Sequence, residues 1–456
     1  MLTYILNWIS LPVLLITTAA GLLIVYYLER PKNLAPGPIG FPLVGYLPFL
    51  GPQPHVTLFN LAKRYGDILS FTVWGKTFIH LNSYSVILDA YLEHGDMFAG
   101  RPQDFSFFWW LTDGLGIVQS EGKIWQEHRR FALKTLRDFG FGKLSLEGRV
   151  LEIAKDILNA LKQTYETPYD MSNLLANSTT NVICSLMFDK HYNYQDPEFL
   201  KARSLTQRFF LLLPGINAFI PRPFARYVPW SLLSKDYRDF AAVKKEFYEM
   251  MDEFIKEHQE TFNETCLRDY TDVYLDTMRK ADSSESFSLE RLKAIGLNMF
   301  LAGTETTSNT LYWGMKLMTL HREIQDRVYK EIVEVVGKER FPSMVDRYNM
   351  PYTEATLMEL QRFANISPLS IFHCNPVETT LRGYTIPKRS VILANLWNVH
   401  RDPIHWPNPD KFDPLRFLDQ DGKVIKREGF IPFSVGKCIY ISQKKKSNHQ
   451  KYQRIE

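Results

Sequence analysis

Helical hydrophobic patterns occupy most of the chain between residues 55 and 400, and they limit the folds that it can adopt. The clearest of them, with apolar side chains recurring every three or four positions, cover residues 146–165, 235–262, 288–336 and 351–364. Strand-like alternation occurs at 68–81, and a hairpin-like pattern lies within 381–397. The sequence therefore predicts a mainly α fold with a small β part, in one large domain.

The N-terminal segment, residues 1–28, carries no charged side chain, and most of its second half is apolar. A membrane-spanning helix needs about 20 apolar residues, whereas a cleaved signal peptide has a basic start and a shorter apolar run. The segment fits a retained membrane anchor better, although the small residues 19–21 leave cleavage as an alternative. Arg30 and Lys32 follow the span, which favours a cytosolic body.

Prolines are frequent just after this segment, and they predict a stiff hinge over residues 29–50 because proline restricts its own backbone and that of the preceding residue. Two glycosylation sequons, at Asn177 and Asn263, would be out of reach if the body is cytosolic. We interpret both as chance.

Charge and cysteine content exclude some classes of protein. The net charge of +4 is too small and too spread out to indicate nucleic-acid binding. This mild positive charge is compatible with a protein that works near an anionic membrane surface or that docks on an acidic partner. The four cysteines include no CxxC pair, which argues against a disulfide framework and for a reducing compartment.

The pattern over 288–336 begins at Ser288, a good N-cap residue, and contains the motif AGTETT at residues 302–307. Glycine in a helix interior costs about 1 kcal/mol, and a threonine hydroxyl can bond a carbonyl one turn back and bend the helix. Such a weakened turn beside an acid suits a site that needs room for a small ligand and a proton route. An irregular core helix is the alternative.

Two other helical motifs place cations near possible partners. Trp125 and Arg129 share a helix face and could grip a carboxylate, although an ordinary surface stack is the alternative. Glu359 and Arg362 are also spaced to pair, and Arg416 could join them from a downstream loop. This second spacing is common on exposed helices, so it indicates little alone.

A glycine-containing turn at residues 432–438 (PFSVGKC) presents Cys438 after an aromatic residue. Such a loop could offer a thiolate to haem iron. An isolated cysteine is otherwise usually an inert thiol.

Together, and in this order, the motifs resemble those of cytochromes P-450, most closely the animal microsomal enzymes of the family-2 type. The similarity runs from the anchor to Lys437 and includes the FxPxRF motif at 412–417. The resemblance implies the cytochrome P-450 fold behind a transmembrane helix, with residues 51–437 as the catalytic domain. It also implies an endoplasmic reticulum membrane location with that domain facing the cytosol.

The resemblance further implies haem b, molecular oxygen, a small apolar substrate, and electrons from NADPH through a flavoprotein reductase that meets the basic helix around Trp125. By position, the haem propionates would contact Trp125, Arg129 and His373. The axial thiolate would come from the cysteine loop, in which Cys438 is either a displaced ligand or a coincidence. Glu305 would help to relay protons, and Thr306 would steady the bound oxygen. The structural charge triad would comprise Glu359, Arg362 and Arg416.

The chain departs from the family after Lys437. The family pattern is FxxGxRxCxG, in which Phe433 and Gly436 match, but Cys438 comes two residues early and Tyr440 takes the usual cysteine position. Residues 438–456 are polar and basic, and we interpret them as an aberrant tail that replaces the last helix and terminal strands. Two hypotheses result: a monooxygenase for fatty acids, steroids or foreign compounds, or a haem-deficient, catalytically silent membrane protein.

Overall fold

The computed structural model describes residues 13, 15–18, 21, 31–42, 44–103, 111–139, 144–165, 167–212, 235–280 and 286–436. Its helices, in chain order, are α1 (Pro54–Tyr65), α2 (Tyr84–Leu88), α3 (Gly122–Asp138), α4 (Leu144–Lys162), α5 (Ser172–Phe188), α6 (Pro197–Leu212), α7 (Lys235–Glu260), α8 (Tyr270–Lys280), α9 (Leu289–Gly303), α10 (Glu305–Leu320), α11 (Arg322–Val336), α12 (Pro351–Ala364) and α13 (Leu396–Val399). A π-helical turn, Asp89–Glu93, follows α2 directly.

Six short strands form the β part: β1 (Ile68–Val73), β2 (Lys76–Leu81), β3 (His373–Cys374), β4 (Thr379–Leu381), β5 (Tyr384–Ile386) and β6 (Val391–Ala394). One sheet has the order β1-β2-β6-β3, and β4 and β5 pair separately as an antiparallel hairpin. Only the β2–β6 pair in the first sheet is parallel. The predicted mainly α architecture with a small β part is confirmed.

The long helical pattern over 288–336 divides into α9, α10 and α11, with breaks at Thr304 and His321. The Ser288 side chain caps the start by accepting a bond from the Arg291 N–H, at 3.3 Å. Gly337 ends the run with a φ of +81°, a conformation that glycine adopts without strain.

Helix α12 receives its N-terminal cap from a neighbouring helix. The Glu331 carboxylate of α11 accepts bonds from the backbone N–H groups of Tyr352, at 2.9 Å, and Thr353, at 2.7 Å. These N–H groups have no partner within their own helix because they lie in its first turn. The cap fixes the helix that carries Glu359 and Arg362.

Apolar residues fill the space between the helices and both faces of the sheet. The larger core lies among the helices and includes Phe199, Phe247 and Phe300. Helix α5 crosses it between α4 and the α9–α10 pair. In β2 the side chains alternate between two further clusters, with Ile79 facing one and Phe78 the other.

Among the residues that the structure describes, no helix has the length and apolar character needed to cross a membrane. Most of the predicted anchor, residues 1–28, lies outside the described residues.

Candidate functional site

The centre of the α9–α10 pair is a broken turn at Thr304, whose backbone has φ −88° and ψ −74°. The Thr304 hydroxyl donates to the Phe300 carbonyl at 2.7 Å, and the Thr306 hydroxyl donates to the Ala302 carbonyl at 2.5 Å. Hydroxyls that bond carbonyls one turn back bend and weaken a helix. Ala302 is exposed and Thr306 half-buried, so this turn borders open space.

Helix α5 supports the broken turn from the other side. Gly303 packs so closely that a Cβ atom there would lie 2.2 Å from Ile183 Cδ1. The Thr179 hydroxyl lies 3.2 Å from the Thr304 carbonyl, to which it donates. The glycine of the motif therefore permits close packing of two helices.

The carboxylate of Glu305 bonds away from Thr306, towards α6. Arg203 Nη1 donates to Glu305 Oε1 at 2.7 Å, and both side chains are largely buried. The other carboxylate oxygen lies 3.5 Å from Asn309 Nδ2. Glu305 and Thr306 are adjacent in sequence, yet they are bonded to different elements.

Asn298 connects α9 to the loop that precedes α3. Its Oδ1 accepts bonds from the backbone N–H groups of Ile117, at 2.9 Å, and Val118, at 3.1 Å. Gly116, at φ +82°, passes so close that a Cβ would lie 2.5 Å from the same oxygen. The sequence analysis missed Asn298. The available signal was a polar residue on the same helical face as the apolar Ile295.

Helix α3 carries the predicted carboxylate-binding pair. The Arg129 guanidinium carbon lies 5.3 Å from the centroid of the Trp125 ring, and Arg129 is buried. Glu121, just before α3, accepts a bond from the Arg101 N–H at 2.9 Å and pairs with Arg389 at 3.1 Å. The start of α3 is therefore fixed beside the segment that contains Arg101.

Arg101 is a buried cation that the sequence analysis missed, because it lies in a loop without a recognisable pattern. It is 5% exposed, and its Nη1 donates to the Phe372 carbonyl at 2.9 Å. Within the described ranges its guanidinium has no carboxylate partner. Burying a guanidinium without an anion is unfavourable, so this position favours an anionic ligand.

His373, the next residue after Phe372, completes this part of the site. Its Nδ1 lies 2.9 Å from the Phe98 carbonyl, and its ring stacks on Tyr91 with 4.6 Å between the centroids. Burial, and then the charge of Arg101, lower the pKa of His373 well below its usual value. Guanidinium and indole groups donate to carboxylates, and an imidazole does so when its remaining nitrogen is protonated, so these groups suit a ligand that carries carboxylates.

The structure brings Glu359, Arg362 and Arg416 together. Glu359 and Arg362 are fully buried, with paired atoms 2.7 Å apart, and Arg416 Nε lies 3.5 Å from Glu359. Arg362 also donates to the carbonyls of His400, at 2.7 Å, and Pro409, at 2.9 Å. Arg416 donates to the carbonyl of Asn408 at 2.7 Å. The network therefore holds α12 against an irregular segment.

The segment leading to the predicted cysteine loop is anchored at two points. The Ile431 N–H donates to His400 Nε2 at 3.1 Å. Gly436, at φ +93°, lies so close to the π-helical turn that a Cβ would be 2.3 Å from the Tyr91 carbonyl oxygen. Cys438 itself lies outside the described residues.

The outward face of α3 is basic. Among the described residues no ion pair engages its exposed cations, which are Lys123, Arg130, Lys134 and Arg137. An unpaired cationic face favours encounter with an acidic partner, although a solvated helix face remains the alternative.

Comparison with known proteins gives consistent matches. The family model described as "Cytochrome P450" matches residues 35–439. The human protein Cytochrome P450 2U1 is 35% identical over 445 residues, which are 91% of this chain and 81% of that protein. Cytochrome P450 2H1 of Gallus gallus is 34% identical, over 95% of this chain and 88% of its own length. Cytochrome P450 2J1 of Oryctolagus cuniculus is 35% identical, with coverage of 94% and 86%.

Proposed function

The chain belongs to the cytochrome P450 family and is a monooxygenase of that family, and we propose that it inserts one oxygen atom of O2 into an apolar substrate such as a fatty acid, steroid or foreign compound. The observation that carries the proposal is the broken turn at Thr304–Thr306 on the central helix pair, where the Thr306 hydroxyl borders open space and the neighbouring Glu305 carboxylate is held in a largely buried ion pair.

Haem fits the carboxylate-binding part of the site. Its propionates would be held by Trp125, Arg129 and His373, and the buried cation Arg101 adds a fourth partner. When bound, haem supplies the iron at which oxygen is activated. We propose Cys438 as the thiolate ligand of that iron. Gly436 supports this placement, because its close packing on Tyr91 fixes the loop just before the cysteine.

The acid and the hydroxyl of the broken turn have separate tasks in this proposal. The Thr306 hydroxyl borders the open space, and on releasing the Ala302 carbonyl it would donate a hydrogen bond to a ligand there. Glu305 would pass on a proton that it takes from solvent, and its carboxylate must first leave Arg203, which holds it at 2.7 Å. Arg203 therefore controls when Glu305 can act.

The experiment that tests the proposal is the carbon monoxide difference spectrum of the reduced, purified protein. We expect the Soret shift that is typical of a thiolate-ligated haem. A protein without any haem band contradicts the proposal. The Cys438→Ser variant is the matched control, since it should lose the thiolate-type band if Cys438 is the ligand and keep it if another group is.

The electron donor is proposed to be an NADPH-dependent flavoprotein reductase that docks on the basic face of α3. Reversing two charges there, in the Lys134→Glu/Arg137→Glu variant, should raise the reductase concentration needed for half-maximal turnover. The control reverses Lys245 and Lys256, which are exposed cations on α7. An equal effect of both double variants contradicts docking on α3.

We propose that residues 1–28 anchor the protein in the endoplasmic reticulum membrane, that residues 29–50 are the hinge, and that the body faces the cytosol. The glycosylation sequon at Asn263 can report this orientation. Asn263 is exposed, and its Oδ1 accepts bonds from the N–H and hydroxyl of Thr265, at 3.0 and 2.8 Å. A luminal body would offer this sequon to the glycosylation enzymes.

The orientation is tested by expressing the full chain in cells and treating it with an endoglycosidase. We expect no change in mobility. A matched fusion, in which a cleavable signal peptide directs the body into the lumen, should gain a glycan that Thr265→Ala removes. A glycan on Asn263 in the unmodified chain contradicts a cytosolic body.

A further inference from the structure

The tautomer of His373 is fixed by its surroundings. Nδ1 lies 2.9 Å from the Phe98 carbonyl oxygen. A carbonyl oxygen can only accept a hydrogen bond, so Nδ1 must carry the hydrogen. In a neutral ring Nε2 is then a bare acceptor. Among the described residues, none bonds to Nε2.

A bare acceptor cannot bind a carboxylate, because both atoms present lone pairs. We infer that His373 holds a haem propionate only as an imidazolium, so that haem binding takes up one proton at Nε2 of this residue. The inference rests on the proposed function, which places a propionate at His373.

The charges around the ring support a change of protonation on binding. Without a carboxylate, burial and the nearby Arg101 lower the pKa of His373, so the ring is neutral. A propionate opposes both effects, because it accepts a bond from the Nε2–H of the charged ring and balances the charge of Arg101. Tyr91 also favours the charged form, since an aromatic face attracts a cation stacked upon it.

The charged groups on the other elements that pack near β3 do not change this effect on the protonation of His373. Strand β6 places the apolar Ile392 opposite His373. Glu121 and Arg389 pair with each other beside the next residue, Cys374. In the π-helical turn, Asp89 is paired with Arg382 and with His94. Arg101 is the charged side chain that acts on the ring among the described residues.

Retention of haem should consequently weaken as the pH rises. Loss of the proton from Nε2 removes the bond to the propionate, so the rate of haem release should follow the fraction of bound His373 that is deprotonated. This fraction rises by up to about tenfold per pH unit until the pH reaches the pKa of the bound imidazolium. Protonation of the iron ligand also affects release, but it does so equally in variants at His373. The informative quantity is therefore the difference in pH dependence between variants.

The test measures haem transfer from purified holoenzyme to an excess of apomyoglobin, followed by Soret absorbance between pH 6 and pH 9. Three proteins are compared with the wild type. His373→Gln keeps a donor that does not titrate, His373→Phe keeps the ring stack without a donor, and His94→Gln removes a more exposed histidine from the end of the π-helical turn.

We expect the rate of haem release to rise steeply with pH in the wild type and in His94→Gln. In His373→Gln the part of this rise that is due to His373 should be absent. His373→Phe should release haem fast at every pH, and the wild type should approach its rate at high pH. Identical pH dependence in the wild type and His373→Gln overturns the inference while leaving the proposed function intact. Failure of the wild type to bind haem at all contradicts the proposed function itself.

Discussion

At the scale of single residues, His80 shows how the sheet tolerates a polar group in its centre. The side chain is fully buried on the same side of β2 as Phe78, and neither ring nitrogen has a hydrogen-bond partner within the part of the chain that the structure describes. Burial lowers the pKa of His80 to about 3. A buried donor or acceptor without a partner is unfavourable, so His80 is a local weakness of the fold.

Replacing His80 with leucine should therefore stabilise the protein, by about 1–3 kcal/mol in the free energy of unfolding near neutral pH. The gain should grow below about pH 6.5, because the unfolded wild type then binds a proton that the folded state excludes. Urea unfolding at about pH 7.5 and pH 5 measures both effects. His94→Leu, at a more exposed position, is the control, and a destabilised His80→Leu protein contradicts this account.

At the scale of elements, the contact between α5 and the α9–α10 pair predicts a coupled pair of substitutions. Gly303→Ala places a methyl group against Ile183, so it should destabilise the protein by about 1–3 kcal/mol. Ile183→Ala should relieve much of this effect, so the double variant should be less destabilised than the sum of the two single variants. A double-mutant cycle in urea measures the coupling, and additive effects would contradict the close contact.

Helices α7 and α8 are joined by a buried ion pair that should titrate. His258 Nδ1 lies 2.8 Å from the Phe254 carbonyl and Nε2 lies 2.8 Å from Asp269 Oδ2, so both nitrogens face acceptors. Burial is the largest single effect and lowers the pKa of His258, but the bond to Asp269, the charges of Asp269 and Asp272 and the bond to the Phe254 carbonyl together outweigh burial and raise the pKa. The contribution of this pair is complete below about pH 6.5 and is lost as the pH rises through the raised pKa.

We therefore expect the free energy of unfolding of the wild type to fall as the pH rises above about 6.5, and His258→Gln to lack this part of the fall. The measurement is urea unfolding at several pH values between 6 and 9. His191→Gln, at a more exposed histidine paired with Asp156, should keep the wild-type pH dependence. Parallel curves for the wild type and His258→Gln would exclude an imidazolium at this position.

How far the sequence predicts these elements depends on which interactions define them. Periodicity predicts 235–262 and 351–364 almost to the bounds of α7 and α12. It cannot detect the break at Thr304, because the apolar pattern continues across it, whereas hydroxyl bonds to carbonyls distort the backbone. Arg101 could not be predicted as a site residue, since its partner lies 271 residues away. For Asn298 the polar residue on an apolar helix face was a signal, but its partner, 181 residues away, was not predictable.

At the scale of the whole molecule, the buried pair Glu359–Arg362 links α12 to the segment that leads to Gly436. Arg362 donates a hydrogen bond to the His400 carbonyl, and the His400 side chain accepts one from the Ile431 N–H. Glu359→Gln leaves the guanidinium buried without its anion, so the free energy of unfolding should fall by about 3–5 kcal/mol.

Urea unfolding measures that loss, and tryptic cleavage within 400–436 should accelerate with it. Glu253→Gln is the control because it removes the partner of Lys201 in an exposed ion pair, whose loss stays within about 1 kcal/mol. A Glu359→Gln protein as stable as this control would show that the network contributes little.

The parallel pairing of β2 with β6 also has a consequence for biosynthesis. His80 in β2 lies opposite Leu393, and Arg101 donates to the Phe372 carbonyl, which lies 271 positions later in the chain. During translation β2 and Arg101 therefore remain without these partners until the ribosome has synthesised residues 372–394. Cofactor loading is for this reason a late event in the life of the polypeptide, and nascent chains that stall before residue 373 should accumulate without pigment.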